Sequence, residues 1–158
     1  MLKLTRIALI VFILAAGLSS QAVCQGKNVG IGIMLGEPTG FSAKVWQGAD
    51  VAIDGGIAWS LAEDTRINIH ADMLWHNWNV LEDAFEIEDT VRLPLYYGVG
   101  GRLKAEDDTR IGMRFVFGSS LIFEDAPFDI FFELVPIMDI IPKTELDINV
   151  AFGGRFWF

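Results

Sequence analysis

The sequence predicts an all-β chain that closes into an eight-stranded antiparallel up-and-down transmembrane β-barrel. Three observations predict it. Apolar and polar residues alternate with a period of two in run after run, which is the signature of strands with one oily face. The composition is 52% hydrophobic with 12 Phe, 5 Trp and 16 Gly, yet 21% of residues are charged. Glycines and aromatics together suit strands in a bilayer, where Gly relieves crowding and aromatics sit at the interfaces. The third observation is an export-like leader at the N-terminus.

That leader is "MLKLTRIALIVFILAAGLSSQAVCQ". Lys3 and Arg6 precede a short apolar run, and small residues follow near a cleavage point, the layout of a secretory signal peptide over residues 1–24. The run is shorter than the roughly twenty residues of a spanning helix. Cleavage after Ala22 and after Cys24 both fit. Acylation of Cys24 fits less well, since Val23 and Gln21 stand where a lipoprotein signal has a small residue and a Leu-like one. As the single cysteine, Cys24 excludes an intrachain disulfide framework. A net charge of −9 and a pI near 4.5 exclude a nucleic-acid partner.

Residues 25–158 are expected to form the barrel domain, with eight alternating runs. The first, "NVGIGIML", places Val29, Ile31, Ile33 and Leu35 on one face, and "GEPTG" turns. "FSAKVW" sets Phe41, Ala43 and Val45 against Lys44. "VAIDGGIAWSL" sets Val51, Ile53, Ile57 and Trp59 against Asp54. "RINIHADMLWHNW" sets Ile67, Ile69, Met73 and Trp75 against Arg66, His70 and Asp72. The fifth run, "VRLPLYYGVGGRLK", opposes Val91, Leu95, Tyr97, Val99 and Leu103 to Arg92, Arg102 and Lys104. Pro94 lies inside it, so a bulge sits there or regular pairing begins at Leu95.

"RIGMRFVFGSSLIFE" opposes Ile111, Met113, Phe115 and Phe117 to Arg110, Arg114 and Glu124. "FDIFFELV" opposes Phe128, Ile130, Phe132 and Leu134 to Asp129 and Glu133, and is expected to stop near Val135 because Pro136 follows. The last run, "ELDINVAFGGRFWF", opposes Leu146, Ile148, Val150, Phe152, Phe156 and Phe158 to Glu145, Asp147 and Arg155. Short helices are expected only in "NVLEDAFEIEDT" and "VPIMDIIPKT".

An open sheet cannot sit in lipid, because each unsatisfied edge amide costs several kcal/mol. Closure removes the edge. An even strand number also brings both chain ends to one side. In a narrow closed barrel the larger apolar set must face out and the charges in. The predicted interior network is Lys44, Asp54, Arg66, Asp72, Arg92, Arg102, Arg110, Arg114, Glu124, Asp129, Glu133, Glu145, Asp147 and Arg155, with Lys104. Its charges nearly balance, so it reads as a salt-bridged plug. Trp59, Trp75, Trp78, Tyr96, Tyr97, Trp157 and Phe158 are assigned to interface girdles. No metal or other cofactor is expected: Asp72 of the trio His70, Asp72 and His76 is assigned to an arginine. Ser119 lacks a histidine in its own or an adjacent strand, which speaks against an acyl hydrolase.

These residues carry a resemblance. The leader, the eight alternating strands and Phe158, with Phe156 and Phe152 spaced behind it, resemble small bacterial outer-membrane barrels of the OmpA/OmpX type. The stretch "FDIFFELVPIMDIIPKTELDINVAFGGRFWF" resembles the end of a family of small, functionally uncharacterised barrels, a domain of unknown function. The resemblance implies a bacterial outer-membrane location, contact with outer-membrane lipid, recognition of Phe158, Phe156 and Phe152 by the barrel-assembly machinery, and a monomer. It implies a structural or envelope-interaction role. The other readings are a soluble lipocalin-like barrel holding a hydrophobic ligand and a lipid A-modifying barrel enzyme. One departure stands out. Long outer loops are usual in this type, but here "GEPTG", "AEDT" and "AEDDT" are short, and the longest connection falls on the side of the chain ends.

Overall fold

In a computed structural model the described residues are 28–37, 39–60, 66–85, 90–105 and 109–158, without the side chains of 60, 66, 82, 84 and 85. The leader assigned to residues 1–24 lies outside them. The strands are β1 (Val29–Gly36), β2 (Gly40–Trp46), β3 (Val51–Ser60), β4 (Arg66–Asn77), β5 (Val91–Arg92), β6 (Leu95–Ala105), β7 (Arg110–Phe123), β8 (Phe128–Ile141) and β9 (Glu145–Trp157). One helix, α1 (Asn79–Phe85), follows β4.

Every pairing is antiparallel. β1 pairs with β9 from Gly30↔Trp157 to Gly36↔Ala151, and β7 pairs with both β6 and β8, so the sheet closes on itself. β5 and β6 are one stave. Arg92↔Ile122 and Leu95↔Ser119 belong to the same register against β7, so no bulge sits at Pro94 and the ladder merely skips it. The carbonyl of Pro94 still accepts from Ser120 N at 3.3 Å and Ser119 Oγ at 3.0 Å. The nine segments therefore make an eight-stranded barrel.

β8 overturns one expectation. It does not stop near Val135 but runs through Pro136 to Ile141, so "VPIMDII" is strand where a loop or a helical turn was expected. Its register against β9 is unbroken from Phe128↔Phe156 to Asp139↔Glu145. On the β7 side the pairing jumps from Phe117↔Leu134 to Arg114↔Ile137. The gap falls where Pro136 has no N–H to give. A barrel strand has two neighbours, and the proline breaks the ladder to only one. The other helical candidate does contain α1; residues 86–89 lie outside the described part.

Burial alternates along the strands, most cleanly on β8, where Asp129, Phe131, Glu133, Val135, Ile137 and Asp139 are buried and Phe128, Ile130, Phe132 and Leu134 are exposed. The interior is not purely ionic. Leu74, Tyr96, Val116, Val135 and Ile137 form one apolar cluster, and Met34, Ala58 and Phe131 a second. Glycines make room for the larger interior side chains. A Cβ on Gly112 would collide with Asp139 Oδ1, and one on Gly100 with Asp72 Oδ1.

The start of β1 and the end of β9 share one mouth, the terminal mouth: Phe158 N donates to Val29 O at 2.9 Å. That mouth also carries the β2–β3 and β7–β8 turns and the long connection containing α1. The opposite mouth carries the four connections β1–β2, β3–β4, β6–β7 and β8–β9, all brief.

Candidate functional site

The interior is the site, and it is built in tiers. Alternation sends Lys44 of β2, His76 of β4 and Tyr96 of β6 inward near the terminal mouth, and all three are buried. His76 Nδ1 lies 3.3 Å from Asp50 O, so that nitrogen carries the proton and Nε2 accepts from Lys44 Nζ at 2.8 Å. The ammonium also lies over the Tyr96 ring at 4.4 Å and the Trp46 ring at 5.3 Å. Tyr96 donates its hydroxyl to Glu133 Oε1 at 2.8 Å.

The middle tier is a triad. Arg155 of β9 is fully buried, with Nη1 2.6 Å from Asp54 Oδ2 and Nε 3.2 Å from Asp129 Oδ1. Its guanidinium rests 4.0 Å above Phe131. Beside it, Arg114 Nε donates at 3.0 Å to both oxygens of Asp72. Towards the opposite mouth, Arg102 grips Asp139 through two parallel bonds of 2.9 and 2.6 Å and reaches Asp147 Oδ2 at 3.2 Å. Paired donors on a planar carboxylate give the strongest charge-assisted bonds. Each such pair costs desolvation to bury, and losing one partner leaves an uncompensated charge.

Other members of the predicted network lie at the rims. Arg92 and Glu124 pair at 3.7 Å with 39% and 49% of their side chains exposed, and Arg110 and Glu145 pair at 2.9 Å with 36% and 54% exposed. Asp147 is half-exposed. The side chain of Arg66 lies outside the described part. Asp139 is absent from the predicted set because the strand carrying it was expected to end at Val135.

Two aromatics were placed on the wrong side. Tyr96 and Trp157 are buried inside, not in a girdle. Their strand parity points inward, and residue type had overridden it. Trp78 stacks on Trp46 at 5.7 Å and donates Nε1–H to Asp50 Oδ1 at 3.0 Å. Trp46, Trp78 and Trp157 line a cavity of about 400 Å³ at the terminal mouth, with Glu124 and Asp125.

His70, Asp72 and His76 do not converge. Asp72 is held by Arg114 and His76 by Lys44, and among the described residues no group of three His, Cys, Asp or Glu side chains is placed to hold a metal ion. The Ser119 hydroxyl donates to Pro94 O, and Ser120 Oγ is buried without a partner.

The outer surface is the inverse of the interior. Large apolar side chains are exposed on every stave: Ile31, Phe41, Ile57, Ile69, Tyr97, Phe117, Phe132 and Ile148 are each 44–62% exposed. Trp75 and Tyr97 stack at 5.9 Å, and Phe156 and Phe158 meet edge to face at 5.0 Å, towards the terminal mouth. Phe41 and Trp59 pair at 5.3 Å towards the other. Phe152, Phe156 and Phe158 all project outward.

No protein-family model matches the chain, and no match is found among curated proteins. Among solved structures, the fold is similar to the crystal structure of the N-terminal β-barrel domain of OprF from Pseudomonas aeruginosa. The identity is 12%, the alignment covers 84% of this chain and 98% of that one, and the TM-score is 0.57. Closed pairing, eight staves and this likeness together give the chain an eight-stranded antiparallel up-and-down barrel, the fold of that domain.

Proposed function

We infer that the protein is an integral barrel of the bacterial outer membrane, a monomer whose own side chains close its lumen, with a structural or contact role in the envelope. One observation carries this reading: the barrel is inside out relative to a soluble protein. Monomeric soluble proteins rarely expose apolar patches beyond a few hundred Å², whereas here exposed Ile, Val, Leu and Phe run around the whole circumference. Four basic side chains, Lys44, Arg102, Arg114 and Arg155, are meanwhile buried inside. The longer strands have 10–14 residues, against the roughly 9–11 that a tilted strand needs to cross a bilayer. A lipocalin-like barrel requires the opposite partition, with an apolar cavity. A lipid A-modifying enzyme requires an activated nucleophile, and Ser119 is spent on a backbone carbonyl.

In this reading residues 1–24 are removed on export, lipid wets the outer belt, and the barrel-assembly machinery reads Phe158, Phe156 and Phe152. Closure of the lumen is supported by the tiers of buried ion pairs and the two apolar clusters between them. The test is cell fractionation with gel mobility before and after boiling. The protein is expected in the outer-membrane fraction, with a folded band whose mobility shifts on boiling. A freely soluble protein without that shift would overturn the reading.

A further inference from the structure

The barrel wall is notched on the side opposite the terminal mouth. β9 pairs with β8 as far as Glu145, but its pairing with β1 ends at Gly36↔Ala151. One more bond follows, from Glu37 N to Val150 O at 2.9 Å. Residues 145–149 therefore have a strand on one side only. On the other flank, the pairing of β2 with β3 ends at Gly40↔Ala58. From Ala151 to Glu145, β9 overruns its last β1 partner by six residues. That is about 20 Å along the strand, or about 15 Å along the barrel axis at a tilt near 40°. The short β1–β2 turn is thus the floor of a gap between β9 and β3.

A recess of about 340 Å³ lies in this gap: Glu37 and Thr39 line it from the turn, Asp147 and Asn149 from β9, and Arg102 from β6. Those linings are polar. The outer flanks are not. Leu146 and Ile148 stand beside the gap 85% and 62% exposed, and Phe41 and Trp59 pair at 5.3 Å on the outer face across from them. Both flanks continue the apolar surface of their staves. Ladder bonds alternate in direction along a strand, so the backbone groups of Leu146 and Ile148 turn to the same side as those of Val150, into the gap. Asp147 Oδ1 accepts from Ile148 N at 2.9 Å, a side chain doing the work of the missing strand. An open strand edge is not left against bare hydrocarbon, so a polar group is needed wherever lipid reaches this edge. Apolar flanks outside and a polar recess within fit an amphiphile, whatever the sign of its headgroup.

We propose that the gap above the β1–β2 turn is a lateral lipid site: one two-chain lipid of the adjoining leaflet passes its headgroup over the turn into the recess and keeps its acyl chains outside, against Leu146 and Ile148. The site rests on the membrane reading above and deepens it, because it names one place in the wall where a lipid is held by its headgroup.

The test uses the folded barrel in phosphatidylcholine vesicles doped with phosphatidylethanolamine that carries a diazirine, either on the headgroup or midway along an acyl chain. Photolabelled residues are read by mass spectrometry. The headgroup probe is expected to label Thr39, Asp147 or Asn149 at least fivefold above Lys143 and Glu145 at the β8–β9 turn. The chain probe is expected to label Leu134 and Leu146. Glu37→Trp, at an exposed position on the floor of the gap, is expected to cut the headgroup label in the recess fivefold or more, with the chain label on Leu134 and the boiling-dependent gel shift unchanged. Should Glu37→Trp fail to fold, Asn149→Phe fills the recess from β9 with the same expectation. Headgroup label spread evenly around the mouth, a recess that the headgroup probe does not label, or recess label that survives the substitution overturns the site. In each of those outcomes chain label on Leu134 leaves the barrel reading intact; without that label the membrane reading falls, and this site with it.

Discussion

Arg155→Met is the sharpest probe of a closed interior. The guanidinium is fully buried and holds Asp54 at 2.6 Å and Asp129 at 3.2 Å. Methionine keeps much of the volume and the contact with Phe131 but removes the charge. Two buried carboxylates are then left facing each other with no cation between them. Breaking a buried pair from one side costs about 3–5 kcal/mol. At a factor of ten per 1.4 kcal/mol, the folded-to-unfolded ratio falls roughly 10²- to 10⁴-fold. The assay is a urea titration of barrel folded in lipid vesicles, followed by tryptophan emission and by the unboiled gel band. The triple variant Arg155→Met, Asp54→Asn, Asp129→Asn removes all three charges and is expected to recover most of the loss, because the penalty belongs to the orphaned carboxylates. An Arg155→Met barrel as stable as wild type would refute the reasoning, since it would mean that water already solvates these groups and the lumen is open.

Three further outcomes follow from the same geometry. Leu134→Arg, on an exposed position midway along β8, is expected to cost about 2–4 kcal/mol in vesicles, the range for a cation at the bilayer midplane; an unchanged urea midpoint would show that this face does not meet lipid. Gly112→Ala drives a Cβ into Asp139 Oδ1 and is expected to lose about 1–3 kcal/mol, whereas Gly101→Ala, whose Cβ has 3.7 Å of clearance, should be silent in the same titration. Wild-type barrel in planar bilayers is expected to give no steady conductance steps, and a reproducible open level would remove the closed lumen from the proposed function.

Strand parity was legible in the sequence wherever it was followed. Lys44, Asp54, Asp72, Arg102, Arg114, Asp129, Glu133 and Arg155 alternate with large apolar residues, and a closed sheet of eight staves buries them. Parity failed only where a second rule was set above it. For Tyr96 and Trp157 the second rule was residue type: an aromatic was sent to the interface although its neighbours along the strand, Tyr97 and Phe156, pointed out. For Asp139 it was the proline rule. Pro136 ends a strand in an open sheet, but in a barrel the ladder to β9 carries the strand past it. With β8 cut short, the bidentate partner of Arg102 could not be seen. The rim pairs Arg92–Glu124 and Arg110–Glu145 share the inward parity and are still wet, because parity gives a face and not a depth.

Who pairs with whom is a different matter, and the register itself misleads there. Lys44 stands directly opposite Asp54 across β2 and β3, so adjacency alone would join them. Asp54 also stands directly opposite Asp72 across β3 and β4, and like charges so placed repel. Both difficulties are resolved from elsewhere on the wall. Arg155, 101 residues along the chain, takes Asp54; Arg114 takes Asp72; Lys44 turns instead to His76 and Tyr96. Two neighbouring aspartates are tolerable only because β7 and β9 bring guanidinium groups to them. That arrangement exists only if the lumen is narrow enough for an arginine to span, so the acidic pair on β3 and β4 ties the ionic interior to the strand number. A wider or opened sheet would leave Asp54 and Asp72 side by side with nothing between them. Closure and charge pairing therefore stabilise one another: the pairs need the small barrel, and the small barrel brings their partners within reach.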